Sequence, residues 1–595
     1  METRIAGQPA GYVHERSETA GDGRAIVTAE SRTVINRLGS KVEIKGSTRT
    51  VEDATGSVIS IHCELSSSAQ TTAMDGNVAN GVLTLKISTG GKDYQRSIPL
   101  TSPLTGPEGG RRLTVKALRN PGDQVSYPVF SAELGTLQTV SRTLVRVEDD
   151  VLVAEESLSG LPGKASLWLD RDGRTRRRTQ ESPFGTMESL RSERDGALAA
   201  VSGATLPAEA FERSVIRSNI RLPHERETER LRVRLTHRRP ELGWPDFRSE
   251  YQSVVESSRE SVVVDIRRPD HQREVAAANT TDLARYLEPN ALFQADDAEV
   301  QRITREVAGG IADQFQRAVA LRDWTSRNMR FDPGIAVVPA SEVVRNRAGT
   351  CFGYSILLGS LARAAQIPSR MKIGFVYTGG IWAGHAWIEM LIGQQWLPFD
   401  AALTSRDVAD AGRISFFTGS LEEGTIIGVG SLAQMFGNVE VAIDRYTVAG
   451  KEIVVSPGAA PFRIERDRYI NPWLGLELEK PAAYRFTKTS PVWPDATVVA
   501  FEAPQKASVS LERFPRSAGK DAEIEIRKYL AKRGVSGTHR AWRVSNRRGF
   551  CVESAGGHKA ALVLVTADDI WVLRAESRSA LATLKLINKS LKLPE

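Results

Sequence analysis

Between residues 350 and 400 the hydrophobic pattern changes from helical spacing to strand-like alternation, and this change restricts how the stretch can fold. Apolar residues recur at helical spacing after Cys351, so we expect a helix that begins there and buries one face. Thr350 is suited to cap its first turn, and Pro368 predicts its end because the residue before a proline avoids the helical region.

Two strand-like runs follow this predicted helix, at 385–391 and 396–400. Gly393-Gln394 between them is typical of a two-residue type II′ hairpin turn, since glycine suits its first central position. In that register Trp387 lies opposite Asp400, and His385 is a diagonal neighbour of Asp400 on the same face. A shift of one residue would place His385 and Asp400 on opposite faces of the sheet.

Cys351, His385 and Asp400 thus stand in the order and setting of a nucleophile, its base and the residue that orients the base. A helix N-terminus and a nearby imidazolium both stabilise a thiolate, which is the reactive form of cysteine. His385 would accept the thiol proton, and Asp400 would hold the imidazole in the correct tautomer. We expect the backbone N–H of Cys351 to be one oxyanion donor.

The segment from about 340 to 400 resembles the transglutaminase-like superfamily of papain-like cysteine enzymes. The resemblance is carried by Ala348-Gly349-Thr350-Cys351 with Tyr354, by 361–370, by His385-Ala386-Trp387, and by Trp396 with Phe399-Asp400. It implies a bacterial multidomain protein that cleaves or transfers an amide acyl group through a Cys351 thioester, as protease, amidase or transamidase. One departure is Ala401, where proline is expected more often.

Hydrolysis is favoured over crosslinking, because the sequence shows neither a calcium loop nor a dedicated lysine-acceptor site. We predict a peptide or protein substrate, with Tyr354, Trp382 and Trp387 as its binding residues. Trp387 is more typical of a core residue than of a substrate platform, whereas Trp382 follows a Gly-Gly pair and is suited to a cleft wall.

A simpler interpretation treats each residue of the triad separately. A lone cysteine at a helix start is usually a small buried hydrophobe, and His385 and Asp400 could be a core histidine and a strand-end cap. The three together favour catalysis. The alternative hypothesis is an inactive binding or scaffold protein with a transglutaminase-like core.

The composition is that of ordinary globular protein, with 41% hydrophobic and 25% charged residues over 595 positions. The net charge of +7 is modest, and the one dense basic cluster, at 174–178, follows a turn signal that favours a solvated strand edge over a nucleic-acid site. The three cysteines are far apart and the eight histidines lack metal-ligand spacing, so we predict no metal and no cofactor.

The predicted fold class is α+β multidomain, with β-rich N-terminal domains, a papain-like α+β catalytic core and a C-terminal α+β domain. Strand alternation dominates from about 11 to 200, and helical patterns occur at 296–308, 311–329, 521–533 and 579–591. We place the domains at 1–204 (β-rich), 205–275 (second β domain), 276–438 (catalytic core) and 439–595 (accessory domain).

No stretch reaches the ~18 consecutive apolar residues of a membrane helix, so we predict no transmembrane segment. No signal peptide is visible at the first residues. The expected location is therefore cytoplasmic if the sequence is complete and periplasmic if a leader is missing. The oligomeric state stays open.

Overall fold

A computed structural model describes residues 1–37, 40–67, 70–89, 92–131, 135–159, 163–182, 185–199, 201, 215–270, 283–333, 337–421, 435–472, 474–489, 497–504, 507–515, 522–566 and 569–593. The chain forms two compact units, one of 1–217 with 222–456 and the other of 218–221 with 457–595. Within the described ranges, no helix combines the length and apolar character needed to cross a bilayer.

The N-terminal region is a 14-stranded antiparallel sheet, in agreement with the alternating pattern predicted there. Its order is β8-β7-β6-β5-β4-β3-β2-β1-β14-β13-β12-β11-β10-β9, so that β1 joins two runs of sequential hairpins. The strands are β1 (Glu2–Ile5), β2 (Gln8–Thr19), β3 (Ala25–Arg37), β4 (Ser40–Glu52), β5 (Val58–Ser67), β6 (Gln70–Ala79), β7 (Val82–Thr89), β8 (Lys92–Pro99), β9 (Gln124–Ser131), β10 (Thr136–Glu148), β11 (Val151–Leu158), β12 (Ala165–Leu169), β13 (Thr175–Ser182) and β14 (Gly185–Leu190).

Helix α1 (Pro107–Ala117) packs closely against this sheet because its first turn contains glycine. A Cβ at Gly109 would lie 2.3 Å from the carbonyl oxygen of Gly56, which is too close for any side chain. Glycine, which has no Cβ, is therefore the residue that fits here. The buried carboxylate of Glu52 accepts hydrogen bonds from the backbone N–H groups of Glu108 and Gly109, at 2.9 and 2.7 Å. Glu52 therefore satisfies two of the free donors at the start of α1. A short helix, α2 (Arg194–Ala199), follows the sheet.

The middle of the chain combines helices with a five-stranded antiparallel sheet of order β15-β22-β21-β24, in which β23 pairs with β22. Its strands are β15 (Val215–Arg217), β21 (Ser369–Thr378), β22 (Ile381–Ile392), β23 (Gln395–Phe399) and β24 (Arg413–Gly419). The helices are α3 (Ala284–Leu287), α4 (Ala298–Ala308), α5 (Gln314–Asn328), α6 (Ala340–Asn346) and α7 (Cys351–Ala364). Helix α7 is the central helix of this group and contacts α4, α5 and α6 as well as β21 and β22.

A second five-stranded antiparallel sheet has the order β17-β18-β16-β25-β26. Its strands are β16 (Arg230–His237), β17 (Gln252–Ser257), β18 (Ser261–Arg267), β25 (Val439–Val448) and β26 (Lys451–Val454), and β19 (Arg330–Phe331) pairs with β20 (Ala348–Gly349) in parallel just before α7. As β16 and β25 are adjacent, residues before and after the α7 region share one sheet.

The second compact unit contains a three-stranded sheet, β27-β28-β29, and a seven-stranded antiparallel sheet of order β30-β31-β32-β36-β35-β34-β33. Its elements are β27 (Arg463–Glu465), β28 (Arg468–Asn471), β29 (Leu476–Glu479), β30 (Arg485–Lys488), β31 (Thr497–Ala503), β32 (Ala507–Pro515), α8 (Ala522–Lys532), β33 (Arg540–Val544), β34 (Arg547–Glu553), β35 (Lys559–Val565), β36 (Asp569–Glu576) and α9 (Ala580–Asn588). The two helices belong to different apolar clusters: α8 packs with Val563 and Val572, and α9 with Leu562 and Leu573.

The predicted α+β fold class, with its papain-like α+β core, is wrong. The structure is mostly β, with 50% strand and 18% helix arranged as large antiparallel sheets. The helices around α7 do form, but long alternating strands on both sides of them outweigh their contribution. The four predicted domains stay a prediction, and the boundaries at 204 and 275 lie outside the described residues.

Candidate active site

Helix α7 begins at Cys351 with Thr350 at its N-cap position, as the pattern predicts. The residues from Gly353 to Arg363 are all buried, because the helix is enclosed by other helices and by the sheet. The Arg363 guanidinium lies inside the core, where it donates to the carbonyl oxygens of Glu288 and Ser369 and stacks over Phe293. These contacts hold the far end of α7, so that its N-terminus has a defined position.

The predicted hairpin register is confirmed, since Ile388 pairs with Phe399 and Ile392 with Gln395. Gly393 adopts φ +59°, the left-handed conformation that favours glycine at this turn position. Asp400 directly follows β23. Because this register continues to place Trp387 opposite Asp400, and His385 is two residues before Trp387, His385 and Asp400 lie on the same face of the hairpin. The Nε2 atom of His385 is 2.7 Å from Oδ2 of Asp400, and both side chains are buried.

Cys351 is half-buried, and its thiol lies within the electrostatic range of the His385 imidazole. Burial alone would raise the pKa of this thiol, but the polar contact and charge of His385, with a backbone contact at Ala386, hold the pKa below its ordinary value. A separate contact joins the two elements, because Ser355 Oγ donates to the carbonyl oxygen of Ala386 at 2.9 Å. The helix and the strand that carry the thiol and the imidazole are thus tied together.

The charges around His385 favour its protonated form. Burial lowers the pKa of His385, yet the charge and hydrogen bond of Asp400 and the contact with Cys351 raise it to about 9. The pKa of Asp400 is lowered well below its ordinary value despite burial, by His385 and by Arg413. A thiolate–imidazolium pair with an ionised carboxylate behind it is the state that these shifts favour.

Asp400 accepts four further hydrogen bonds that sequence reasoning did not identify. Its Oδ1 accepts from the backbone N–H groups of Ala402 and Leu403, at 2.9 and 3.0 Å. Its Oδ2 accepts from Nε and Nη2 of Arg413, at 3.1 and 2.7 Å. Arg413 also donates to Oδ2 of Asp410 at 2.6 Å, and this aspartate accepts a hydrogen bond from Arg226. No motif marks Arg413, because only the pairing of β24 with β21 brings it next to Asp400.

The predicted substrate-binding residues are all buried. The Tyr354 hydroxyl donates to the carbonyl oxygen of Met329 at 3.0 Å. The Trp387 ring stacks beside His385 with a centroid separation of 6.1 Å. Trp382 is fully buried, and its ring meets Tyr377 edge-on at 5.4 Å. Substrate contact by these residues stays a prediction, and it would require the two indoles to become accessible.

Residues 301–401 match the family model described as the transglutaminase-like superfamily. This match identifies a transglutaminase-like domain within the chain. The match covers α5, α6, α7 and the hairpin that carries His385, so it includes all three residues of the predicted triad. The match places this domain, in general terms, in a family of thiol enzymes.

Comparison with curated proteins found no match to the chain. Among solved structures, a proposed cysteine protease from Cytophaga hutchinsonii is similar to it, with 17% identity and a TM-score of 0.26, over 40% of this chain and 91% of the other. A proposed protease from Parabacteroides distasonis is similar over 94% of this chain and 95% of its own, with 11% identity and a TM-score of 0.17. At these TM-scores no residue role is carried over from either structure.

Proposed function

We propose that the transglutaminase-like domain is a thiol-dependent enzyme that acts on amide bonds, with Cys351 as nucleophile, His385 as general acid and base, and Asp400 as the orienting carboxylate. The observation that carries this proposal is the buried His385 imidazole, which contacts Cys351 on one side and lies 2.7 Å from Asp400 on the other. A structural histidine needs neither a poised thiol nor an ionised carboxylate beside it.

The reaction follows from these positions. The Cys351 thiolate attacks the amide carbonyl carbon, a C–S bond forms, and the carbonyl electrons move to oxygen. When the carbonyl re-forms, the C–N bond breaks, and the protonated His385 gives its proton to the departing amine. A thioester remains on Cys351. Water, losing a proton to His385, attacks this thioester, releases the carboxylic acid and regenerates the thiolate.

Arg413 is proposed as a positioning residue for this chemistry. It lies behind Asp400, where it donates to Oδ2, the same carboxylate oxygen that His385 contacts. With the backbone donors at Ala402 and Leu403 it holds the carboxylate in one orientation. Such support limits the rotation of the imidazole that must receive and return a proton.

Thiol alkylation tests the proposal before any substrate is known. Intact-mass spectrometry after brief iodoacetamide treatment at neutral pH would compare wild type with Cys351→Ala and His385→Ala. We expect one fast adduct that disappears in Cys351→Ala and forms much more slowly in His385→Ala. The buried Cys63 and Cys551 are internal controls, because burial raises the pKa of Cys63 to about 12 and also raises that of Cys551.

Slow labelling that His385→Ala leaves unchanged would overturn the proposal and favour the inactive binding protein instead. If labelling is fast, peptide libraries with and without an added primary amine would separate the two chemistries. We expect a free carboxylate product by hydrolysis, and an amide product formed with the added amine would instead identify a transamidase.

A further inference from the structure

The 14-stranded sheet encloses a cavity of about 850 Å³ that has no part in the triad. Its walls come from alternate residues of neighbouring strands: Ser17 pairs with Val27, Val27 with Thr50, and Thr50 with Ile61, and all four line the cavity. Since side chains alternate across a strand, these residues share one face of the sheet. The volume lies within the ~300–1,000 Å³ range of small-molecule sites.

The apolar part of the lining belongs mainly to β3, β5, β9 and β10. It is formed by Val27, Val58, Ile61, Cys63, Tyr127, Val129, Phe130 and Val140. Several of these residues also belong to the apolar cluster that contains Leu83 and Leu85 of β7, so this wall continues into the core. Such a surface accommodates a hydrocarbon chain rather than a polar metabolite.

The charged part of the lining comes from β2, α1 and β10, from the turn before β13, and from the residue that follows β14. Three of its four arginines already have carboxylate partners: Arg111 pairs with Glu108, Arg142 with Glu156, and Arg191 with Asp170. The fourth, Arg174, belongs to the basic cluster at 174–178. Among the described residues its guanidinium forms no direct ion pair or side-chain hydrogen bond, and it acts on Glu15 and Glu108 through its charge alone.

Glu15 lies in the same charged region. Glu15 is exposed, but partial desolvation by the surrounding protein raises its pKa, the charge of Glu108 raises it further, and Arg174 opposes both effects. Glu15 therefore becomes neutral more readily than an ordinary glutamate, whereas an arginine stays charged at every physiological pH. Arg174 is thus the arginine of this region whose guanidinium is not held in a direct ion pair.

We propose that this cavity binds a single-chain amphiphile with an anionic head group, such as a long-chain carboxylate. The hydrocarbon chain lies along the apolar wall, and the head group accepts hydrogen bonds from the guanidinium of Arg174. Planar guanidinium groups bind carboxylates with two parallel hydrogen bonds, which gives this contact both strength and orientation.

Isothermal titration calorimetry on the full chain tests the proposal with dodecanoate, used below its micelle concentration. We expect one dodecanoate per chain, at least tenfold weaker binding in Arg174→Gln, and unchanged binding in Arg176→Gln. Arg176 is the matched control, because it is an exposed arginine two positions away that does not line the cavity. Both changes are at exposed positions, so both variants should fold.

Three further arms decide what is recognised. Glu15→Gln should tighten dodecanoate binding by removing a competing negative charge, whereas weaker binding in this variant would contradict an anionic head-group site. Acetate should bind far more weakly than dodecanoate; equal affinity would identify a small-anion site and overturn the proposal. Preference for dodecyltrimethylammonium, absence of dodecanoate binding, or equal binding in Arg174→Gln would also overturn it.

Discussion

Arg413 and His385 contact the same carboxylate oxygen of Asp400, each at 2.7 Å. One buried cation therefore stands behind the carboxylate while the imidazole stands in front of it. The pKa of Arg413 is raised, despite burial, by the charges of Asp410 and Asp400, so its own charge is secure. The candidate triad is thus the front of a longer chain of alternating charges that runs to Asp410 and Arg226.

Replacing Arg413 should impair the thiol as well as the fold. We expect Arg413→Gln to lose roughly 3–5 kcal/mol of unfolding free energy, because it leaves buried carboxylates without their cation. The pH at which Cys351 labelling reaches half its maximum should rise, since a poorly oriented imidazolium stabilises the thiolate less well, and Arg413→Lys should recover part of this shift. Iodoacetamide labelling over a range of pH measures it.

Arg226 provides the control for this experiment. It contacts Asp410 at 3.1 Å and is separated from Asp400 by Arg413. Arg226→Gln should therefore lower stability without moving the labelling midpoint. Equal shifts of the midpoint in Arg226→Gln and Arg413→Gln would show that Arg413 has only a general structural role.

The stability of the protein should depend on pH through His385. The folded-state pKa of about 9 exceeds the unfolded value of about 6.5. The stabilisation is therefore complete below pH ~6.5 and is lost as the pH rises through 9. The Cys351 thiol, whose pKa is lowered, contributes with the opposite sign, so the measurement belongs in Cys351→Ala.

Buried Lys372, whose pKa is lowered to about 7, adds an opposing pH dependence that the compared variants share. In Cys351→Ala we expect the His385 contribution to the free energy of unfolding, from urea denaturation, to fall between pH 6.5 and 9. The double variant Cys351→Ala, Asp400→Asn should lose most of this slope, because Asp400 is the main group that raises the pKa of His385. A slope that is the same in both variants would contradict the assigned cause.

Tyr354 offers a test of structural against substrate-binding roles. Its hydroxyl is satisfied by Met329, and its ring is buried. We expect Tyr354→Phe to cost about 0.5–1.5 kcal/mol of stability, the usual contribution of one hydrogen bond, and to leave the labelling rate of Cys351 unchanged. A variant of normal stability whose KM rises for a peptide substrate would instead support the substrate-binding prediction.

The contact between α1 and the sheet should be intolerant of a single methyl group. Gly109→Ala places a Cβ 2.3 Å from the Gly56 carbonyl oxygen, and we expect it to lower the unfolding free energy by roughly 1–3 kcal/mol. Gly21→Ala is the matched control, because a Cβ there has no atom within 4 Å. Thermal denaturation of both variants measures the difference, and equal melting temperatures would show that the backbone can separate at little cost.

The local sequence pattern was sufficient to predict those elements whose structure depends on interactions between residues close together in the chain. The start of α7 at Cys351 follows from helical periodicity, with Thr350 at the N-cap position but without a side-chain capping hydrogen bond. The pairing of Ile388 with Phe399 follows from a two-residue turn. The relative content of strand and helix did not follow, and the predicted fold class was wrong. The same alternating pattern suits a small sheet or a 14-stranded one, since it does not predict the long-range pairing of β1 with β14 that joins the two runs of hairpins into one sheet.

By itself, the sequence determined the order of Cys351, His385 and Asp400 on a helix start and a hairpin, and the superfamily to which this segment belongs. Only the tertiary structure placed Arg413 behind Asp400, buried Trp382 against Tyr377, and brought Arg174 to the lining of a cavity. The physical reason is the distance along the chain over which each interaction acts. Caps, turns and periodicity act over a few residues, whereas burial and charge pairing depend on which distant strands become neighbours.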